Sequence, residues 1–168
     1  GMQCVEEQAV RWMVGNGSQV LVERAVHQAC DGRVTSPDLA AEIHAAFLAA
    51  YDQAPCVHTR LYPGARDVLD ALAEQGVALG ICTNKPQHIT AGVLDRLGIA
   101  HLFGSVVGGN PTDALKPSPE MLRKVLRELT AEPSLSVMVG DSGADARAAR
   151  AAGSGRGWRA ARARRPQL

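Results

Sequence analysis

The sequence predicts an α/β protein in which a parallel sheet lies between helices, preceded by a part made of helices alone. Three observations carry this expectation. From about residue 61 onward, short apolar runs alternate with amphipathic stretches, the order that a parallel sheet covered by helices requires. The apolar runs are continuous rather than alternating, the pattern of strands buried on both faces. Before residue 60, apolar residues recur only at helical spacing.

The elements follow in order. Val5–Met13 is a short amphipathic stretch, and Gly15-Asn16-Gly17-Ser18 interrupts it, with Ser18 placed to cap the next helix. Val20, Leu21, Ala25 and Val26 give that helix an apolar face to about Ala29. Asp31-Gly32 is a turn. Thr35-Ser36-Pro37-Asp38 supplies a hydroxyl cap, a proline in the first turn and an acid, a strong helix start. Leu39, Ile43, Phe47 and Leu48 carry the apolar face of that helix to about Tyr51. At Leu61-Tyr62-Pro63-Gly64 the character changes. Helices are expected over 65–75, 86–97, 118–129 and 145–152, with Gly76, Gly98 and Gly153 as C-terminal stops. Strands are expected over 77–82, 105–108 and 135–140.

A chain of 168 residues is one domain, or a core with a small appendage. Apolar residues make up 46% and charged residues 21%, which excludes collagen-like, disordered and coiled-coil classes. The net charge is +1, but residues 154–168 hold five Arg and no acid, so the rest of the chain is mildly acidic. With only 4% aromatics for base stacking, a nucleic-acid partner is not expected. No apolar run approaches the length of a membrane span. The four cysteines form no Cys-x-x-Cys, so neither a zinc site nor a disulfide framework is expected, and a reducing cytoplasm fits best. Without a Gly-x-Gly-x-x-Gly after any strand, dinucleotide binding is disfavoured.

Parallel sheets place ligands beyond the carboxyl ends of their strands. After the first expected strand come Thr83-Asn84-Lys85-Pro86, where a hydroxyl and free amides at a helix start suit a phosphate. Read otherwise, Thr83 simply caps the helix that Pro86 opens. After the second strand Lys116 precedes a proline and so sits in extended backbone, placed to balance a phosphoryl group or, read otherwise, to lie in solvent. After the third come Asp141 and Asp145, four apart at a helix start, a hard-oxygen pair suited to Mg²⁺. Their other reading is helix capping and dipole compensation.

Hydroxyl, lysine and acid pair arrive in sequence order, each past a strand. That order, with the segments WMVGNGSQVLVERAV (12–26), LYPGARDVLDAL (61–72), GICTNKP (80–86), VVGGNPTDALKPSPEML (106–122) and VGDSGADARAARAAG (139–153), resembles the haloacid dehalogenase-like (HAD) hydrolases, and within them the phosphoglycolate phosphatase branch. The resemblance implies a Mg²⁺-dependent phosphomonoesterase acting on a small phosphorylated metabolite, with a helical cap over a Rossmann-like core. It implies that 1–62 is part of the cap, 63–153 the HAD-like core and 154–168 a basic irregular tail. Thr83 and Asn84 would bind phosphoryl oxygens, Lys116 would neutralise the nucleophile and the transferring group, and Asp141 would ligate Mg²⁺ with support from Asp145. The Gly15-Asn16-Gly17 turn would close over the substrate; read otherwise, it is a plain interhelical turn.

The family's nucleophile lies on a strand ending in Asp-x-Asp-Gly-Thr, whose first Asp forms an aspartyl-phosphate and whose second is the acid/base. This sequence contains no Asp-x-Asp. The resemblance therefore implies a core without its usual central strand, a polypeptide that by itself does not hydrolyse phosphate esters, and only weak Mg²⁺ binding. It also implies open sheet edges, which close by direct pairing of the two flanking strands, by a segment of the same chain or by a second copy; of these a homo-oligomer is favoured. The alternatives are a non-catalytic phosphate- or Mg²⁺-binding module and an oligomerising remnant of the family. After Gly153 the Arg/Ala/Gly composition departs from the further strand expected there and reads as the product of a shifted reading frame or, read otherwise, as a solvated basic tail or a segment for acidic partners.

Overall fold

The computed structural model describes residues 3–33, 36–110 and 114–154. The chain runs α1 (Glu7–Met13), α2 (Ser18–Ala29), α3 (Pro37–Gln53), α4 (Ala65–Glu74), β1 (Gly80–Pro86), α5 (Gln87–Arg96), β2 (Ser105–Gly109), α6 (Glu120–Glu128) and α7 (Gly143–Ala151), with single 3-10 turns at Ala100–Leu102 and Pro133–Leu135. The α/β class is as expected. Among the described residues the sheet is one parallel pair, β1 with β2, in register Gly80↔Ser105, Ile81↔Val106 and Cys82↔Val107. Pro86 is level with Gly109, and the ladder is irregular between Cys82 and Pro86.

The helices start where local chemistry provides for them. Ser36 Oγ accepts the Leu39 amide at 3.2 Å and Pro37 opens α3, as the sequence indicates; Thr35 lies outside the described residues. Ser18 does not cap α2. Gly17, at φ 95°, takes that position, and the Ser18 hydroxyl instead meets His44 Nε2 at 2.9 Å. The last helix begins two residues earlier than expected. Ser142 is its N-cap and Asp145 completes a capping box, so neither Asp141 as cap nor Asp145 as first helical residue is correct.

The core is built around α6. Met121, Leu122, Val125 and Leu126 are buried at helical spacing. On one side Val125 and Met121 pack with Val107, while Leu122 and Leu126 pack with Ala149 and Ala152 of the α7 segment. Val107 thus faces α6. Its neighbour Gly108 faces the other way, where a Cβ would lie 2.6 Å from Gln87 Cα at the start of α5, so the pair is covered on both faces. The helical N-terminal part has its own cluster, in which Val22, Val26 and Cys30 meet Ile43 and Phe47.

Two strand expectations need correction. The first strand does not cover 77–82 but Gly80–Pro86. The Val77 amide closes α4 by donating to Leu72 O at 3.0 Å across Gly76 (φ 73°), which withdraws 77 from the ladder. Thr83, Asn84 and Lys85 therefore stand on the strand's end rather than in a loop, and Thr83 does not cap α5. The third strand, 135–140, is not formed. Leu135 closes a 3-10 turn and residues 136–140 join no ladder. Its apolar run is not buried on both faces. Met138 packs on the Leu122–Leu126 cluster, whereas Leu135, Val137 and Val139 are 83%, 63% and 79% exposed. The reason is the lack of a neighbour: no strand among the described residues lies beside this segment to pair with it.

Exposure and burial set opposite costs for substitution. Val139→Ser is expected to change the unfolding free energy by less than about 0.5 kcal/mol. Leu126→Ala, in the α6–α7 cluster, is expected to cost about 2–5 kcal/mol. Urea denaturation of the two variants checks both values, and a large cost for Val139→Ser would mean that the segment is buried.

Candidate functional site

The end of β1, the loop ahead of α6, and the loop ahead of α7 meet at one side of the sheet. The α1–α2 turn and α3 face them, and together they enclose a cleft of about 490 Å³. Thr83, Asn84 and Lys85 come from β1, Lys116 from the segment before α6, and Asp141, Ser142 and Asp145 from the start of α7. Gly15, Gly17 and Ser18 line it from the α1–α2 turn, and Phe47 and Tyr51 from α3.

Lys116 and Asp145 form the electrostatic centre. Lys116 Nζ donates to Asp145 Oδ1 at 2.8 Å and to Cys82 O at 2.5 Å, and the two side chains are only 10% and 8% exposed. The other carboxylate oxygen of Asp145 accepts the Ser142 amide at 3.0 Å and the Ser142 hydroxyl at 2.6 Å. Burial pushes the Asp145 carboxyl up, but hydrogen bonds from Lys116 and Ser142 with the Lys116 charge outweigh it, and its pKa lies below the ordinary carboxylate value. Gly140 leaves the room for this: a Cβ there would lie 2.5 Å from Asp145 Cγ. The Cys82 thiol is pushed up, chiefly by burial; Lys116 pulls it down and Asp145 adds to the rise. It is therefore held protonated at neutral pH and is no thiolate nucleophile.

Asn84 is buried and its amide is fully engaged. Its Nδ2 donates to Gly15 O at 3.2 Å and Lys116 O at 2.9 Å, while its Oδ1 accepts the Lys116 amide at 2.9 Å. The side chain thus ties the α1–α2 turn and the Lys116 segment to β1 and does not project at a ligand. Thr83 Oγ1 accepts the Lys85 amide at 3.2 Å, which leaves its own proton to donate. Lys85 reaches the Tyr51 hydroxyl, and its ammonium lies 4.7 Å from the centre of that ring.

The residues expected from sequence converge with one exception. Thr83, Asn84, Lys116, Asp141, Asp145, Gly15 and Gly17 all reach the cleft, and Asn16 is exposed outside its lining. Asp141 and Asp145 share the cleft, but only the exposed Asp141 carboxylate is open to a cation, because both oxygens of Asp145 are engaged. Among the described residues no group of three or more His, Cys, Asp or Glu could hold a metal. Sequence reasoning missed Ser142, Lys85 and Tyr51. Ser142 was detectable from the Ser-x-x-Asp spacing of a capping box, and Lys85 from its place beside Thr83. Nothing local marks Tyr51.

Comparison with known proteins places this geometry. A family model for haloacid dehalogenase-like hydrolases matches residues 3–153. The chain is 42% identical over 151 residues to a phosphoglycolate phosphatase of Rhodospirillum rubrum, a match covering 89% of this chain and 63% of that protein. It is 40% identical over 146 residues to a phosphoglycolate phosphatase of Pseudomonas putida, covering 87% of this chain and 53% of the relative. The chain thus spans between half and two thirds of the length of these curated relatives. A crystal structure from Haemophilus somnus, described as a predicted phosphoglycolate phosphatase, superposes with a TM-score of 0.82 at 33% identity, over 91% of this chain and 69% of that one. No helix among the described residues is long and apolar enough to cross a membrane.

The Lys116–Asp145 pair makes stability depend on acid. Because the folded pKa of Asp145 is depressed, its contribution is fully present above the unfolded value of about 3.9 and is lost as pH falls through the folded value. Asp145→Ala is expected to cost about 3–5 kcal/mol at pH 7, since it strands a buried ammonium. The gap to the unsubstituted protein should narrow below about pH 4, which urea denaturation across pH measures. Asn84→Ala is expected to cost about 1–3 kcal/mol and to speed hydrogen exchange at the Lys116 amide, read by mass spectrometry.

Proposed function

The chain belongs to the haloacid dehalogenase-like hydrolases, and we propose that it carries the phosphoryl-binding side of a phosphomonoesterase site for a small phosphorylated metabolite, 2-phosphoglycolate being the one that the names of its relatives point to. The observation that carries this reading is the convergence of Thr83, Lys116 and Asp141 on one cleft. Residues 1–62 act as a helical cap, 63–153 as the core, and 154–168 as a tail, most of which lies outside the described residues.

Each group has a distinct task. The Thr83 hydroxyl donates to a phosphoryl oxygen. Lys116 has three N–H donors; two are held by Cys82 O and Asp145, and the third is available to the phosphoryl group. Asp145 fixes the ammonium, and Asn84 fixes the backbone that carries it. The Gly15–Gly17 turn covers the cleft. Mg²⁺ fits the donor chemistry in part: Asp141 would hold it, with Asp145 behind, and the ion would offset phosphate charge once substrate oxygens and water complete its shell.

The carboxylate that attacks phosphorus is not among these 168 residues, which contain no Asp-x-Asp. Losing the nucleophile of such a site costs on the order of 10⁶ in rate. The unpaired segment 136–140 supports this reading. Met138 and Cys82 pack under the same α6 cluster without pairing, and the row Leu135, Val137 and Val139 is uncovered. That arrangement suits an added apolar strand bearing the acid pair. The same open row favours a second reading, an oligomer formed through the sheet edge, which gel filtration with light scattering distinguishes as a species larger than one chain.

The 168-residue polypeptide assayed by itself with 2-phosphoglycolate and Mg²⁺ is expected to release no phosphate above background. Adding a separate polypeptide with an apolar strand ending in Asp-x-Asp-Gly-Thr should restore turnover, and Lys116→Met should abolish it again. Turnover by the polypeptide alone at about 1 s⁻¹ or faster, the range of ordinary enzymes, would overturn the reading.

A further inference from the structure

Two ammonium groups line the cleft, and they are not equivalent. Lys116 is matched by Asp145. Lys85 takes part in none of the ion pairs of the described residues. Its side-chain partner is the Tyr51 hydroxyl of α3, which takes one N–H and leaves the charge unbalanced. The ring beneath it, 4.7 Å from Nζ, adds attraction without neutralising it. Tyr51 is itself braced against Phe47, with ring centroids 5.7 Å apart. A flexible lysine is thereby held in one place with two donors unengaged among the described residues, a preorganised cation suited to an anion.

We propose that Lys85 is the residue that reads the carboxylate of the proposed substrate, 2-phosphoglycolate, and that Tyr51 is its positioning residue. This rests on the phosphoryl-binding reading of Thr83 and Lys116. Thr83 and Lys85 stand two apart on β1 and both line the cleft. Two residues of strand span about 6.5 Å, a reach that a two- or three-carbon acid phosphate bridges and that a bulky ester does not need. The phosphoryl group goes to the Thr83–Lys116 end, and the carboxylate meets the unmatched charge.

The test is calorimetric titration of the full chain with 2-phosphoglycolate and with ethyl phosphate, which has the same length and lacks the carboxylate. The unsubstituted protein should prefer 2-phosphoglycolate by about 10–100-fold, the worth of one charge-assisted hydrogen bond. Lys85→Gln should erase that preference, lowering 2-phosphoglycolate affinity far more than ethyl phosphate affinity. Lys85→Arg should keep most of it, and Tyr51→Phe should reduce it by a smaller factor. If Lys85→Gln lowers both affinities equally, or leaves the preference intact, the assignment is overturned while the phosphoryl site stands. If the unsubstituted protein binds neither ester, the phosphoryl-binding reading fails, and this inference with it. Should Lys85→Gln not fold, the NMR signal of the Lys85 Cε methylene in the unsubstituted protein decides: it must shift with 2-phosphoglycolate and not with ethyl phosphate.

Discussion

The buried amide of Asn84 fastens three parts of the chain at one point. Its nitrogen holds the Gly15 and Lys116 carbonyls and its oxygen holds the Lys116 amide. An amide is suited to this because it offers donors at one end and an acceptor at the other, whereas a carboxylate would turn two of these contacts repulsive. Lys116, so placed, reaches Asp145, and Asp145 reaches Ser142 at the start of α7. The helical N-terminal part, the sheet and the last helix are thus connected through a chain of polar contacts whose first member is a single side chain of β1.

That chain also divides the charges of the cleft by purpose. The Lys116–Asp145 pair is nearly solvent-free and internally balanced, so it contributes direction more than net field. Lys85 is partly exposed and, among the described residues, meets a neutral phenol and no carboxylate, so it contributes net positive charge. Asp141, exposed at the opposite loop, contributes the negative charge a cation would seek. The cleft thus offers two unlike electrostatic environments, one internally balanced at Lys116 and one cationic at Lys85.

Much of this was legible in the sequence, and the gaps have physical causes. The helix ends at Ser36-Pro37 and at Gly76 follow from local capping chemistry, which needs no distant partner. The convergence of Thr83, Lys116 and Asp141 followed from their order after apolar runs. The segment 135–140 was misread because its composition reports what a strand prefers, while pairing depends on a neighbour absent from the described residues. The bracing role of the Asn84 side chain was not legible because type and position do not reveal whether an amide points outward or into backbone. Tyr51 was invisible because its role depends on meeting Lys85, 34 residues along the chain, a long-range contact with no local signature.

Gly140 has a consequence for how the protein tolerates change. The carboxylate of Asp145 occupies the volume that any larger residue at 140 would need. The position would therefore register as invariant in a saturation library although it contributes no functional group. Its intolerance would report on the geometry of a neighbour five residues along, and an apparently silent backbone site would behave as part of the chemistry.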